Sequence, residues 1–544
     1  MPLLVILIFS LTGLSALLHP GLFTAHDIWH NVARLYHYYH TVRDGQFPPY
    51  WISSMAQGFG YPLFFFSYHL PWLVGLPLLL AGLSIPTVTK LLFYLPYFLS
   101  GLTFYISSHL ITKNRPASLI GSILYLWAPH RFLVTLVSAS TGVAWTFVFI
   151  PLYLSSLYLI LSGSHSQTAK LFLPVGLSGL ILSHLLTTLT LAVPTLVLIL
   201  INIKKISTSV AVTLIVTYSI GLLLSSFYLL PSLYYSRLTR ASAYKQGGFA
   251  TIYQTGFVNF RQLIYSKWGY GPVKFSAKDG EISYQVGLAQ WASVFLLLIF
   301  SLRPSSHRPL IFGLLISYSL SVFLIIDPSR PIWDFVEKFI SLDYPARFLV
   351  PATYLASLSA SLTFIHTPKS LHPLLLLLIP LALYTNRNHI RVNLYTDVPL
   401  KTYIDSEATT STHNEYFPAQ AAVSLLNRPA PPLDPPLPVS NFSQGSIGLS
   451  FSVATSSATQ ISLRQIDFPG QHVYLDNQEI PKITDSLGRL SLTLPPGSHT
   501  VSTRFLPTLL IKFSWALTTL GLVLLFKVVN ARNTTFARAE PKSK

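Results

Sequence analysis

Along most of this chain hydrophobic residues gather in unbroken runs rather than in alternation. Apolar stretches fall near 2–19, 61–82, 88–111, 116–128, 142–162, 171–183, 186–203, 208–230, 287–302, 309–326, 346–365, 373–385 and 507–529. Runs of this length, bounded by Pro, Gly and charged residues, predict helices. Several are short for about 30 Å of hydrocarbon at about 1.5 Å rise per residue. Within 386–506 the pattern changes. A Pro-rich linker, "NRPAPPLDPPLP", is followed by short alternating runs such as "SIGLSFSVA", "TQISLRQ", "HVYLDNQEI" and "RLSLTL", punctuated by "FPG", "LDN" and "LPPGSH". Period-two alternation between turn signals predicts a small β-sandwich of roughly 70–80 residues, tethered by the last apolar run.

Composition sharpens the class. Charged residues are 10% of the chain against 51% hydrophobic ones, where a soluble domain carries about 25% charge. The helices are therefore those of a polytopic membrane protein, and the bilayer is its first partner. The excess of 36 Lys+Arg over 18 Asp+Glu lies partly in short loops such as "TKNRP", "NIKKIS" and "RPSSHRP". It reads as cytoplasmic anchoring and not as a nucleic-acid footprint. The absence of Cys excludes disulfides and thiolate metal sites. The start, "MPLLVILIFSLTGLSALLHPG", has no basic n-region and no small-x-small cleavage site, so it is expected to remain as the first helix.

Counting back from the basic tail "KVVNARNTTFARAEPKSK", taken as cytoplasmic, puts the loops at 366–372, 303–308, 204–207, 163–170 and 112–115 inside, each with Lys or Arg, and makes 20–87 external and Met1 cytoplasmic if 61–82 does not cross. Three prolines and several aromatics in "YPLFFFSYHLPWLVGLPLLLAG" suit a broken interfacial element. Twelve crossings are thus expected, with five regions. Residues 1–230 form a transmembrane module whose first external loop is 20–87, and 231–286 form a second external loop. Residues 287–385 add further helices, 386–506 are the external linker and β-sandwich, and 507–544 are the last helix and its tail.

Chemistry concentrates in "TAHDIWHNVARLYHYYH", residues 24–40. After Asp27 and Asp44 no acid follows until Asp279. On a helix, Asp27, His30, Arg34 and His37 share one face, and Ile28, Val32, Leu35 and Val42 the other. Three readings stay open: an amphipathic helix with its polar groups at headgroup depth, a metal pair from His26 and His30 that lacks a clear third ligand, or a carboxylate beside a cation, able to take a proton from a hydroxyl. Asp44 is assigned no role.

The stretch "HDIWHNVARLYHYYHTVRDGQFPPYWISSMAQGFGYPLFFFSYHLPW" resembles the opening signature of the bacterial membrane proteins called 6-pyruvoyl-tetrahydropterin synthase-related. These in turn resemble the C-type (GT-C) membrane glycosyltransferases. "YLWAPHRF", "ILSHLLT", "QLIYSKWGYGPVKFSAKDGEISYQVG", "YPARFL", "NEYFP" and "FPGQHVYLDNQEI" agree with it, so the similarity spans nearly the whole chain. The resemblance implies a GT-C-like bundle of about twelve transmembrane helices, with an external interfacial loop and a C-terminal β-sandwich before the last helix. It implies an inverting transferase that draws sugar from a polyprenyl-phosphate carrier on the extracytoplasmic face and delivers it to a glycan or protein acceptor. It carries the role of base to Asp27, with His26 or His30 orienting it or the acceptor and Arg34 balancing charge. Basic residues near matching segments, Arg131, Arg261, Lys267 and above all Arg347, are implied to hold the lipid phosphate; the plainer reading of each is snorkelling at the interface. The cofactor is left open: a divalent metal is compatible with this chemistry, but no residues of the chain indicate one.

The chain also departs from the pattern. The loop after "APHR" reads "LVTLVSASTGVAW", without the Arg and Glu common in relatives. Tyr235 stands where relatives tend to have an acid, and Gln471 where they have Trp. A non-catalytic scaffold of envelope assembly, or a transporter-like protein, is the alternative. A proton- or cation-coupled carrier would place ionisable groups within its spans, and no acid lies between 45 and 278.

The naturally Cys-free chain makes the topology directly testable. A Ser84→Cys variant should react with a membrane-impermeant maleimide added from outside the cell. Labelling from the cytoplasmic side alone refutes the twelve-crossing arrangement.

Overall fold

The computed structural model describes residues 1–539, with side chains as far as Asn530, apart from 165, 242–251, 272–281, 302–306, 341, 406–408, 412–413 and 428–429. Asp279, the centre of the 262–287 motif and most of the "RPSSHRP" loop lie outside the described residues.

Five described helices are long and apolar enough to cross a membrane: Ile85–Thr112, Thr141–Leu161, Leu185–Lys205, Pro345–His366 and Leu509–Asn530. Two bent pairs bring the number to seven, Arg115–Leu126 with Pro129–Val137 (48°) and Thr208–Leu224 with Ser226–Leu238 (73°). The chain is a multi-pass membrane protein, but the twelve crossings expected are not twelve helices of spanning length. Proline is one reason, because it removes a backbone donor and bends or ends the helix it enters. The 61–82 run is divided into Leu63–Phe66 and Leu70–Leu80, with Pro77 inside the second. At about 1.5 Å per residue, Leu70–Leu80 covers about 16 Å, roughly half of the hydrocarbon thickness.

Ile28–Arg43 forms the expected helix. Ile28, Val32 and Leu35 are buried, and on that side the helix packs against Leu70–Leu80 and Ile85–Thr112. Its polar side is covered as well, by Leu400–Asp405 and the residues that follow, so His37 is buried too. The helix is thus enclosed on both sides by its own protein.

The cover comes from a segment that the sequence presents as part of a linker. Strand β1 (Leu22–Phe23) pairs antiparallel with β2 (Tyr395–Thr396). Trp29 and Tyr403 bring their rings to 4.2 Å, Tyr61 Oη meets Ser411 Oγ at 2.8 Å, and Arg34 bonds Thr410. Beyond it lies the β-sandwich. One antiparallel sheet has the order β3-β6-β10-β9 (Leu433–Asp434, Thr459–Ile466, Arg489–Leu494, Ile483–Thr484). The other has the order β4-β5-β11-β7-β8 (Val439–Gln444, Leu449–Thr455, Gly497–Phe505, Gln471–Leu475, Gln478–Ile480). Alternate residues of both sheets, among them Phe451, Val453, Leu463, Leu492 and Val501, close a core between them.

The sandwich docks on the first loop. Chain 52–61 folds into a tight turn closed by the Ile52 and Tyr61 backbones at 3.0 Å. Gly60 is required there: its φ is +90°, and a Cβ would sit 2.1 Å from the Trp51 ring. The Gln465 amide donates to Ser53 O (3.2 Å) and Gly58 O (2.9 Å), and its carbonyl accepts from Ser53 Oγ (2.8 Å). Trp51 stacks on Phe468 at 5.7 Å. Asp44 does have a part here: its carboxylate accepts the Ser446 N–H at 2.7 Å.

Gln465 is fully buried. Gln465→Leu should keep the fold and leave the Ser53 and Gly58 carbonyls to Gln444 Nε2, while depriving the buried Ser53 hydroxyl of its acceptor, for a loss of about 1–3 kcal/mol. Thermal unfolding in detergent should show a lower Tm; an unchanged Tm refutes this docking contact.

Candidate functional site

The site is built where a helix breaks. After Arg115–Leu126 the chain bends through Pro129–Phe132 into a wide five-residue π turn, Leu133–Val137. Helix ends leave carbonyls without internal partners, and the first loop supplies donors to this one. His26 N–H donates to Val137 O (3.0 Å) and Asp27 N–H to Ser138 O (2.9 Å). Asn31 Nδ2 donates to Ala139 O at 2.6 Å. Asp27 occupies the N-cap position of Ile28–Arg43, yet among the described residues its carboxylate makes no capping bond. A residue type that ordinarily spends its oxygens on a helix start here keeps them available.

Those oxygens face a cavity of about 500 Å³, within the range of small-molecule sites. Its polar lining includes His26, Asp27, His130, His184, Tyr344 and Arg347, and its apolar wall is built chiefly from the 133–143 chain and from Leu349 and Val350. Asp27 lies deep in the protein but looks into this open space. Burial raises its pKa above the ordinary carboxylate value, against the opposing pull of His30, Arg34, His26 and Arg347. Arg347 lies at the start of Pro345–His366. Its guanidinium pairs with Asp343 at 3.0 Å and donates from Nε to Leu342 O at 3.0 Å.

The partners of two histidines fix their tautomers. His26 Nε2 lies 2.9 Å from Gly271 O; a carbonyl accepts, so Nε2 carries a hydrogen, and in the neutral ring Nδ1 is the lone pair. His184 is the reverse. Its Nδ1 caps Leu185–Thr190 by accepting the Thr187 N–H at 3.2 Å, with the Thr187 hydroxyl at 3.0 Å. Its Nε2 therefore bears the hydrogen. His130 has no hydrogen-bond partner at either ring nitrogen among the described residues.

The structure brings Asp27, His26 and Arg347 to one cavity; His30 stays within electrostatic reach of Asp27. Other candidates lie elsewhere. Arg131 turns away into a cage where its guanidinium is 4.0 Å from the Phe147 ring and near Tyr97 and Tyr125, and it donates to Ser100 Oγ at 2.7 Å. Arg34 reaches back to Thr410 Oγ1 at 3.1 Å. Arg261 and Lys267 are exposed and absent from the cavity lining. His130 and His184 carry no role in the sequence reading, although both sit in its matching stretches. Among the described residues no three His, Asp or Glu side chains gather as a metal site requires.

No protein-family model matches the chain, and no curated protein matches it. Among solved structures, the crystal structure of ArnT from Cupriavidus metallidurans bound to undecaprenyl phosphate is similar over 75% of this chain and 68% of that one. Their identity is 14% and the TM-score 0.40. At that level no residue role carries across.

The raised pKa of Asp27 has a stability consequence with a definite sign. Protonation stabilises the folded state, so this group's favourable contribution is complete below the unfolded value of 3.8 and is lost as pH rises through the folded pKa. Asp27→Asn should therefore melt at a higher temperature than the parent at neutral pH, and the gap should close toward pH 3.8. A destabilised variant at pH 7 contradicts the burial of a carboxylate without a matching ion pair.

Proposed function

We propose that this protein is an inverting membrane glycosyltransferase of the C type, which takes its sugar from a polyprenyl-phosphate carrier at the extracytoplasmic face. The observation that carries the reading is one cavity into which Asp27 opens without a capping duty and which Arg347 also lines. The resemblance of the opening motif supports the choice of reaction, and the apolar wall suits the first units of a lipid chain.

In this mechanism the acceptor hydroxyl sits between Asp27 and His26. Its oxygen attacks the anomeric carbon from the face opposite the phosphate, Asp27 takes its proton, and the carbon–oxygen bond to phosphate breaks with inversion. His26, held in place by the Gly271 contact, orients the acceptor by accepting at Nδ1 from a second hydroxyl, since the attacking one gives its only hydrogen to Asp27. Arg347 faces the anion that departs, and two N–H groups presented in one plane suit phosphate better than a point charge does. The raised pKa of Asp27 makes it a stronger base than an exposed carboxylate. Arg34 adds positive potential from behind the helix. An extracytoplasmic glycan or protein supplies the hydroxyl.

The test is to incubate purified protein with a panel of polyprenyl-phosphate sugars and follow release of the lipid phosphate. Asp27→Asn should lower turnover by about 10²–10⁴-fold with donor binding nearly intact. Arg347→Ala should mainly weaken donor binding, and Arg347→Lys should recover part of it. Full turnover in Asp27→Asn removes Asp27 as base.

A further inference from the structure

His184 performs two hydrogen-bonding tasks with its two nitrogens, and the first determines the second. Nδ1 accepts the Thr187 backbone N–H. A backbone N–H cannot reverse its role, so a proton on Nδ1 would set two donors against each other. The ring is thereby held neutral, with its hydrogen on Nε2. Among the described residues nothing accepts that hydrogen, and His184 lines the cavity. Arg347 lies within electrostatic reach of the ring, and the short helix that His184 caps packs against Pro345–Phe348, which carries Arg347. The cavity therefore has two poles. Asp27 and His26 Nδ1 accept; Arg347 and His184 Nε2 donate.

We propose that His184 is a fixed hydrogen-bond donor to a phosphate oxygen of the lipid-linked substrate, placed beside Arg347 by its own helix cap. The proposal rests on the transferase reading for the identity of the ligand, but it is tested by binding and needs no turnover. The ring cannot act as a base in this state, because its only lone pair is already engaged. Its contribution is to bind and aim the phosphate, so that the scissile bond points away from Asp27.

Two substitutions separate the two tasks. Asn places its amide near the position of Nδ1 and is among the strongest N-cap residues, so His184→Asn keeps the cap and deletes the cavity donor. Gln extends its amide to the position of Nε2, so His184→Gln keeps the donor and loses the cap. Calorimetry with farnesyl phosphate in detergent should show affinity weakened by about 10- to 100-fold in His184→Asn, the loss of one hydrogen bond to a charged group, at unchanged Tm. His184→Gln should show the opposite pair, with affinity near the parent's and a lowered Tm. Equal affinity in the parent and His184→Asn overturns the proposal and leaves the transferase reading standing. A parent protein that does not bind farnesyl phosphate overturns both. Binding lost through His184→Asn, with no release of lipid phosphate from any sugar donor, upholds the proposal and removes the transferase.

Discussion

The cavity exists because a broken helix leaves carbonyls that the first loop satisfies. Val137, Ser138 and Ala139 lie at and beyond the end of a π turn, and three donors from residues 26, 27 and 31 meet them. Unsatisfied backbone groups in a lipid-embedded bundle cost several kcal/mol each, so both elements are strongly fixed by the pairing. Two of the donors are main-chain N–H groups and depend on no side chain. Among the described residues the Asp27 carboxylate makes no capping bond and lines the cavity beside the break. Burial then destabilises its charge, and removing it is expected to relax the fold. That is the pattern of a group kept at a cost in stability.

A second layer of contacts covers the first loop. Described residues between 390 and 426 pack over Ile28–Arg43, pairing β2 with β1 and engaging Arg34 through Thr410. The β-sandwich then grips the 52–61 turn through Gln465, Gln444 and Phe468. Asp44 closes the far end of the same helix against Ser446. At about 1.5 Å per residue, the sixteen residues of this helix put the flanking Asp27 and Asp44 about 26 Å apart. The two acids of the first half thus serve opposite ends of one rod. One faces the cavity, and the other anchors the domain that packs over the loop.

The sequence made some of this legible and hid the rest for physical reasons. Runs of apolar residues reveal helices and period-two alternation reveals strands, so the bundle, the β-domain and the first-loop helix could be read directly. Proline breaks could be seen as well, but their effect on the number of full spans depends on how each fragment packs. Residues 390–426 offer neither period, because their bonds go to distant partners; nothing local marks Thr410 as the acceptor for Arg34. Arg131 shows the same limit at a single residue. Neighbours on a helix point about 100° apart, so when the aromatic cage takes Arg131, His130 turns to the cavity. The resemblance points to the cation Arg131, and helical phase turns its neighbour His130 to the cavity in its place.

Three histidines reach this cavity, and nothing in their own chemistry distinguishes them. His26 gives its hydrogen to a carbonyl, His184 takes one from a backbone amide, and His130 has no partner at either nitrogen among the described residues. The first becomes an acceptor toward the cavity and the second a donor, and neither needs a change of charge to do so. That matters in a low-dielectric site, where an imidazolium beside Arg347 would repel it and would weaken Asp27 as a base. Neutral rings with assigned hydrogens supply direction without adding charge. In the proposed transferase such a cavity would receive a hydroxyl at one end and an anion at the other, while Arg347, already paired with Asp343, remains the single cation in its lining among the described residues.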